Sequence, residues 1–213
     1  MTCQASFAIG DNRVRRYPMA IAPFIAVETP DPPAASGLPQ LMRVGESLYL
    51  VGDAPPLDSA WEVKEHTPIV QMLCPSRLEA GENEVEISIL AGPDVPAMLD
   101  LTALVYPEFF RLRTLELGAY LGIYQNGRLA AMAGERMYLT GYREISAVCT
   151  HPDFIGRGYA ARLIRRLVNA ILDRNEVPFL HVSRDNERAK SLYQYLGFTS
   201  RCELPLWSLK RQR

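Results

Sequence analysis

Residues 144 to 161 read Glu-Ile-Ser-Ala-Val-Cys-Thr-His-Pro-Asp-Phe-Ile-Gly-Arg-Gly-Tyr-Ala-Ala. The stretch opens as a mostly apolar, β-prone run, breaks at Pro152 and turns through Gly156-Arg157-Gly158. Beyond it Leu163, Ile164, Leu167, Val168, Ile171 and Leu172 recur at three- and four-residue steps, marking one buried face of a helix. Strand, glycine turn and helix in succession aim free backbone N–H groups and a positive helix end at an anion. Glycines at 156 and 158 let a phosphate approach the backbone where a Cβ would obstruct it. A lone Gly-x-Gly is equally the mark of an ordinary turn, so the rest of the chain must decide.

Working outward, Pro178-Phe-Leu-His-Val182 reads as the next strand, Asp185 to Leu196 as a helix stopped by Gly197, and Leu204 to Leu209 as a last strand. Upstream, Ala119 to Tyr124 and Leu129 to Leu139 flank Asn126-Gly127, a strong hairpin signal. Val85, Ile87 and Ile89 alternate with polar neighbours, as in a half-exposed strand. Pro93 and Pro96 precede the helical pattern Met98, Leu99, Leu101, Thr102 and Val105, which Pro107 ends. Phe109 to Leu117 reads as a second short helix or a loop, able to carry aromatic side chains toward a groove. Nearer the N-terminus, short strands are expected at Phe24 to Val27, at Ser47 to Val51 and around Ile69. Pro30, Pro32, Pro33 and Pro39 favour loop or extended backbone between them. A polar break near residue 83 divides the chain into an N-terminal accessory region, 1–83, and a principal domain, 84–213. No repeat is evident, though residues 1–83 are also readable as a decayed second half.

With 213 residues, 48% hydrophobic and 22% charged, the composition is ordinarily globular and long enough for a sizeable core. A net charge of −1 gives no overall electrostatic case for nucleic acid or an anionic membrane. Cys3, Cys74, Cys149 and Cys202 are scattered and His66, His151 and His181 form no cluster with them, so neither a metal site nor a disulfide framework is expected. No 18-residue apolar span and no charged leader are visible, which makes a soluble cytoplasmic protein the expectation.

Residues 155 to 160, Ile-Gly-Arg-Gly-Tyr-Ala, resemble motif A of the GNAT N-acetyltransferases, Arg/Gln-x-x-Gly-x-Gly/Ala. The match holds at Gly158 and Ala160 and departs at Ile155, where Arg or Gln is usual. Residues 186 to 198, Asn-Glu-Arg-Ala-Lys-Ser-Leu-Tyr-Gln-Tyr-Leu-Gly-Phe, resemble motif B at the expected distance. The resemblance spans roughly residues 84 to 210. It implies an α/β (α+β) fold, a mixed central sheet with flanking helices in the order β-α-α-β-β-β-α-β-α-β. It also implies acetyl-coenzyme A as donor, with its pyrophosphate against the backbone of Gly156, Arg157, Gly158, Tyr159, Ala160 and Ala161. Asn186 would contact the cofactor arm, and Val148, Cys149 and Thr150 would line the pantetheine.

Acyl transfer to an amine needs a base for the amine, donors for the charge developing on the carbonyl oxygen, and a proton for the departing thiolate. The resemblance implies that Tyr193 supplies the last, and on a helix from Asp185 it shares a face with Asn186. Packing as a core aromatic is the plain alternative for Tyr193. Glu144, fourteen residues before Gly158, stands where histone-acetylating members place a glutamate base. His181, five residues before Asn186, stands where other members place theirs, and imidazole titrates near neutrality unaided. The residues leave the choice open, including action of both through a water. Cys149 reads as a small packed side chain rather than a nucleophile. The expected reaction is direct acetyl transfer in a ternary complex to the primary amine of a small molecule or amino acid, with no metal. A coenzyme A-binding module without turnover and a protein lysine or N-terminal acetyltransferase are the alternatives. The N-terminal region is expected to shape the acceptor groove, and dimers are common in the family.

Overall fold

The computed structural model describes residues 4–79 and 85–213; the boundary expected near residue 83, Glu84 and Cys3 lie outside the described residues. Eleven strands and four α-helices follow one another among the described residues. The first are β1 (Ile9–Gly10), β2 (Val14–Arg16), β3 (Phe24–Val27), α1 (Pro32–Leu41), β4 (Ser47–Val51) and β5 (Trp61–Leu73). Then come β6 (Ser88–Leu90), α2 (Val95–Val105), β7 (Tyr120–Gln125), β8 (Arg128–Leu139) and β9 (Tyr142–Thr150). The chain closes with α3 (Tyr159–Leu172), β10 (Val177–Ser183), α4 (Glu187–Tyr195) and β11 (Thr199–Arg211). All strands join one mixed sheet in the order β1-β2-β3-β4-β11-β5-β10-β9-β8-β7-β6.

The local signals at the C-terminal end become elements as expected. Leu163, Ile164, Leu167, Val168 and Ile171 of α3 are each 1% exposed or less and pack on one face of the sheet. Asn126 and Gly127 both take positive φ, 52° and 75°, the pair of left-handed residues that a two-residue hairpin needs. Gly197 ends α4 at φ 92°.

Several elements differ from expectation. The proline-rich segment forms α1: the Asp31 carboxylate accepts the Ala34 N–H at 2.9 Å, and Pro32 and Pro33 occupy first-turn positions that need no N–H. Ala34 and Leu38, 1% and 0% exposed, repay the irregularity at Pro39 by sealing a second core against β2, β3, β4 and β11. Phe109 to Leu117 takes the loop alternative, a turn ending in a short 3-10 segment, Thr114–Leu117, so one α-helix and not the two of the expected order separates β6 from β7. The strand read from Val85 shrinks to Ser88–Leu90 at the sheet edge, where Ile89 points outward at 79% exposure. The last strand extends to thirteen residues, and so does β5.

Those two long strands make the centre of the sheet. β5 pairs antiparallel with both β10 and β11, while β11 also pairs with β4. The pattern repeats: β1-β2-β3-β4 matches β7-β8-β9-β10 in pairing sense, with β3 and β4 parallel across α1 and β9 and β10 parallel across α3. Each half lends its final strand to the other, β5 to β10 and β11 to β4. A chain beginning at residue 85 is therefore expected to lose cooperative unfolding in urea, because β10 and β11 are left with unpaired ladder groups. A cooperative transition in that fragment would contradict this reading of the sheet.

Candidate active site

Parallel strands need evenly spaced ladder bonds, and β9 and β10 form them only over Tyr142 to Glu144 and Val177 to Phe179. Beyond that point, residues 145–150 and 180–183 diverge. On its other side β9 slips register against β8 between Met132 and Gly134 and again between Glu135 and Tyr138. Ala147, at φ 51°, is the non-glycine residue that absorbs the first slip. The wedge between the strands opens into a cleft of about 970 Å³. Ile145 to Val148 line one bank, His181, Val182 and Ser183 the other, and Asn186, Ala189 and Tyr193 of the α4 region close one end. The wall across from them is built by Tyr17, Phe24, His66 and Ile69 from the first half, with Tyr106, Glu108 and Phe109 from the turn after α2.

The glycine turn lies just outside this enclosure and is exposed. Gly156 and Gly158 take φ of 84° and 74°, strained for any L side chain, and a Cβ on either would meet nothing within 4 Å. Space is left on the outside of the turn, not filled by the protein. Ile155 N–H returns to Pro152 and Arg162 N–H to Gly158, whereas the six N–H groups between, from Gly156 to Ala161, have no acceptor among the described residues. Arg157 is held over the Phe154 ring, 5.2 Å from its centroid. An anion of pyrophosphate size fits such a set of donors. The topologically matching turn between β3 and α1, Glu28-Thr-Pro-Asp31 followed by Pro32-Pro33, has no glycine and three prolines without N–H. The first half carries no such cradle.

Tyr193 is 7% exposed, its ring against Phe198, and its hydroxyl has no hydrogen-bond partner among the described residues. Burial pushes the phenol well above its ordinary pKa, so it stays protonated and able to donate. Asn186 caps α4, its side-chain oxygen accepting the Ala189 N–H at 3.1 Å. Val148 reaches the cleft. Cys149 is packed against the α2 side, and burial raises its thiol to about 12, which leaves it unreactive.

Glu144 and His181 are brought together. The carboxylate, 0% exposed, accepts two bonds from Arg136 (2.9 and 2.7 Å), one from His181 Nδ1 (2.8 Å) and one from the Met137 N–H (3.3 Å). Burial alone would raise its pKa, but the Arg136 charge and the hydrogen bonds from Arg136 and His181 outweigh that and hold it well below the carboxylate range. All its acceptor positions are taken, and it does not line the cleft; His181 does. Arg136 and Gln71, which contacts His181 at 3.0 Å, were not singled out from sequence. Gln71 sits in β5, within the region read as accessory, and only the register of β5 beside β10 brings it there. No group of three or more His, Cys, Asp or Glu side chains suited to a metal occurs among the described residues, and no helix there is long and apolar enough to cross a membrane.

Comparison with known proteins follows the same lines. Residues 120–208 match the family model described as FR47-like protein. A solved structure assigned to GNAT-family acetyltransferases, from Novosphingobium aromaticivorans, is similar at 33% identity and TM-score 0.89, covering 99% of this chain and 93% of its own. A GCN5-related N-acetyltransferase from Kribbella flavida shares the fold at 14% identity and TM-score 0.64, over 94% of this chain and 88% of that one. The ribosomal-protein-S18-alanine N-acetyltransferase from Escherichia coli does so at 21% and 0.50, over 59% and 92%. No curated protein matches the sequence at a significant level.

The buried Glu144 pair has a measurable signature. A carboxyl whose folded pKa is depressed contributes stability that is fully present above its unfolded value, about 4.3, and is lost as pH falls below it. Glu144→Gln is therefore expected to cost about 3 kcal/mol at pH 7, since it leaves Arg136, 11% exposed at the cleft wall, without its counter-charge. In urea denaturation the gap between variant and parent should narrow toward pH 3; an equal gap at both pH values would contradict the assignment.

Proposed function

Because the chain belongs to the GNAT family of acetyltransferases, we propose that it acetylates the primary amine of a small molecule or amino acid by direct attack in a ternary complex. Acetyl-coenzyme A supplies the acetyl group as an activated thioester. The observation that carries this reading is the wedge between β9 and β10, open beside a turn whose N–H groups from Gly156 to Ala161 lack acceptors. The volume supports a small acceptor: about 970 Å³ is at the upper end of small-molecule sites, enough for a pantetheine arm and a compact amine. So does the wall from β2, β3 and β5, which makes the acceptor side a pocket and not an open groove.

Each residue then has one task. The turn amides, with Arg157 beside them, hold the diphosphate, and Asn186 keeps the start of α4 in place through its cap. The backbone edge of β9 from Val148 to Thr150, unpaired with β10, runs along the pantetheine, and an amide there faces the carbonyl oxygen as charge builds on it. His181 is the base. Glu144 has no vacant acceptor position, so it acts on the ring, fixing Nδ1–H and leaving Nε2 to take the proton that the amine loses. Tyr193 holds the second proton, at its hydroxyl, for the departing sulfur. One proton is taken from the nitrogen that forms the new bond, and one is given to the sulfur whose bond breaks.

Tyr193→Phe is expected to lower kcat by about 10²-fold with little change in coenzyme A affinity. An unchanged kcat would return Tyr193 to packing. His181→Asn is expected to remove the acidic limb of kcat/KM over pH 5 to 8, measured by thiol release across an amine panel; a limb that survives would assign the base elsewhere.

A further inference from the structure

His181 makes hydrogen bonds on both sides of its ring, and the chemistry of the partners determines where its proton is. In the antiparallel pair of β10 and β5, His181 stands directly opposite Gln71, so both side chains share a sheet face. Gln71 is also opposite Cys202 of β11, where a bulge between Ser200 and Cys202 inserts Arg201. The bulge turns Arg201 onto the same face, and its guanidinium donates to Gln71 Oε1 at 2.7 Å.

Arginine has donors only, so the Gln71 atom it meets is the carbonyl oxygen. The other end of that carboxamide, Nε2, lies 3.0 Å from His181 Nε2 and must donate to it. Glu144, an acceptor at 2.8 Å, receives the Nδ1–H. A relay of fixed direction results: Arg201 to Gln71 to His181 to Glu144, with Arg136 donating to Glu144 from the far side. If Nε2 were protonated, two N–H groups would face each other, and flipping Gln71 would set its NH2 against Arg201.

We propose that Gln71, lent by the first half of the chain, is a positioning residue that holds His181 in the tautomer with Nδ1 protonated and Nε2 bare. The inference rests on His181 as the base and deepens that reading. The carboxylate of Glu144 needs a proton on Nδ1, and the carboxamide N–H of Gln71 needs a lone pair on Nε2. The charged and titratable groups around the ring are Glu144 and Arg136 on the β9 side and Arg201 beyond Gln71 on the β5 side. Tyr17, Tyr106, His66 and Glu108 line the same cleft. An acceptor amine enters from the cleft and competes with the carboxamide for the one lone pair.

Nitrogen-15 NMR of the imidazoles, with His181 assigned by its loss in His181→Asn, reads both tautomer and titration midpoint without any turnover. The parent is expected to show the Nδ1-protonated form. Gln71→Leu should raise the midpoint by about one pH unit, and Gln71→Glu, whose carboxylate accepts from both Arg201 and a protonated Nε2, should raise it further. If Gln71→Leu does not fold, the comparison of the parent with Gln71→Glu still decides. An Nε2-protonated parent, or a midpoint the same in every variant that folds, overturns the inference. A midpoint that moves while the acidic limb of kcat/KM stays still supports Gln71's hold on the ring and removes His181 as the base.

Discussion

Strands β9 and β10 share ladder bonds over only three residues each, and the backbone groups past that point must find partners elsewhere or remain available. Parting two central strands of a sheet forfeits hydrogen bonds that most proteins keep, so something must hold the strands apart. At the fork sits Glu144, the last paired residue of β9, its carboxylate fully buried and bonded by Arg136, His181 and a backbone N–H. A buried carboxylate without such donors would cost several kcal/mol, so its network permits little movement of β8, β9 or β10. The slips in the β8–β9 register and the left-handed Ala147 follow as the strand bends out of line. The cleft is a consequence of that bend.

Two halves with the same strand pattern have taken different work. The second keeps the glycine turn and the long amphipathic α3, whose N-terminus faces outward with unpaired amides. The first has prolines at the equivalent corner, which remove the donors and convert the position into the capped start of α1. What the first half contributes is the wall of the cleft and, through β5, the side chain opposite His181. Exchange of β5 and β11 welds the two, since each half is incomplete at its own inner edge. The acceptor pocket thus lies where the halves meet.

Much of the second half is legible in the sequence because its signals are local. The stripe on α3, the Asn126-Gly127 turn and the glycines at 156 and 158 each determine a few dihedrals or one buried face without help from distant residues. The helix at Pro32 to Leu41 is not legible in the same way, since prolines read as breakers unless a cap such as Asp31 is recognised ahead of them. Gln71 and Arg136 illustrate the larger limit. Nothing in Ile-Val-Gln-Met or Gly-Glu-Arg-Met marks either residue: pairing of β5 with the distant β10 brings Gln71 to His181, and the slipped register of the neighbouring strands β8 and β9 brings Arg136 to Glu144. Glu144 itself stood out by its distance from Gly158, but its value as a base depends on neighbours that no spacing displays.

The central claim is that the donor lies along the parted β9 edge with its diphosphate on the turn after it. Amide hydrogen exchange, with and without coenzyme A, tests this residue by residue. The account predicts slowed exchange concentrated at residues 156–161 and along 146–150, with the β3–α1 corner unaffected. Saturating coenzyme A that leaves the amides of 156–161 exchanging as fast as before would contradict it.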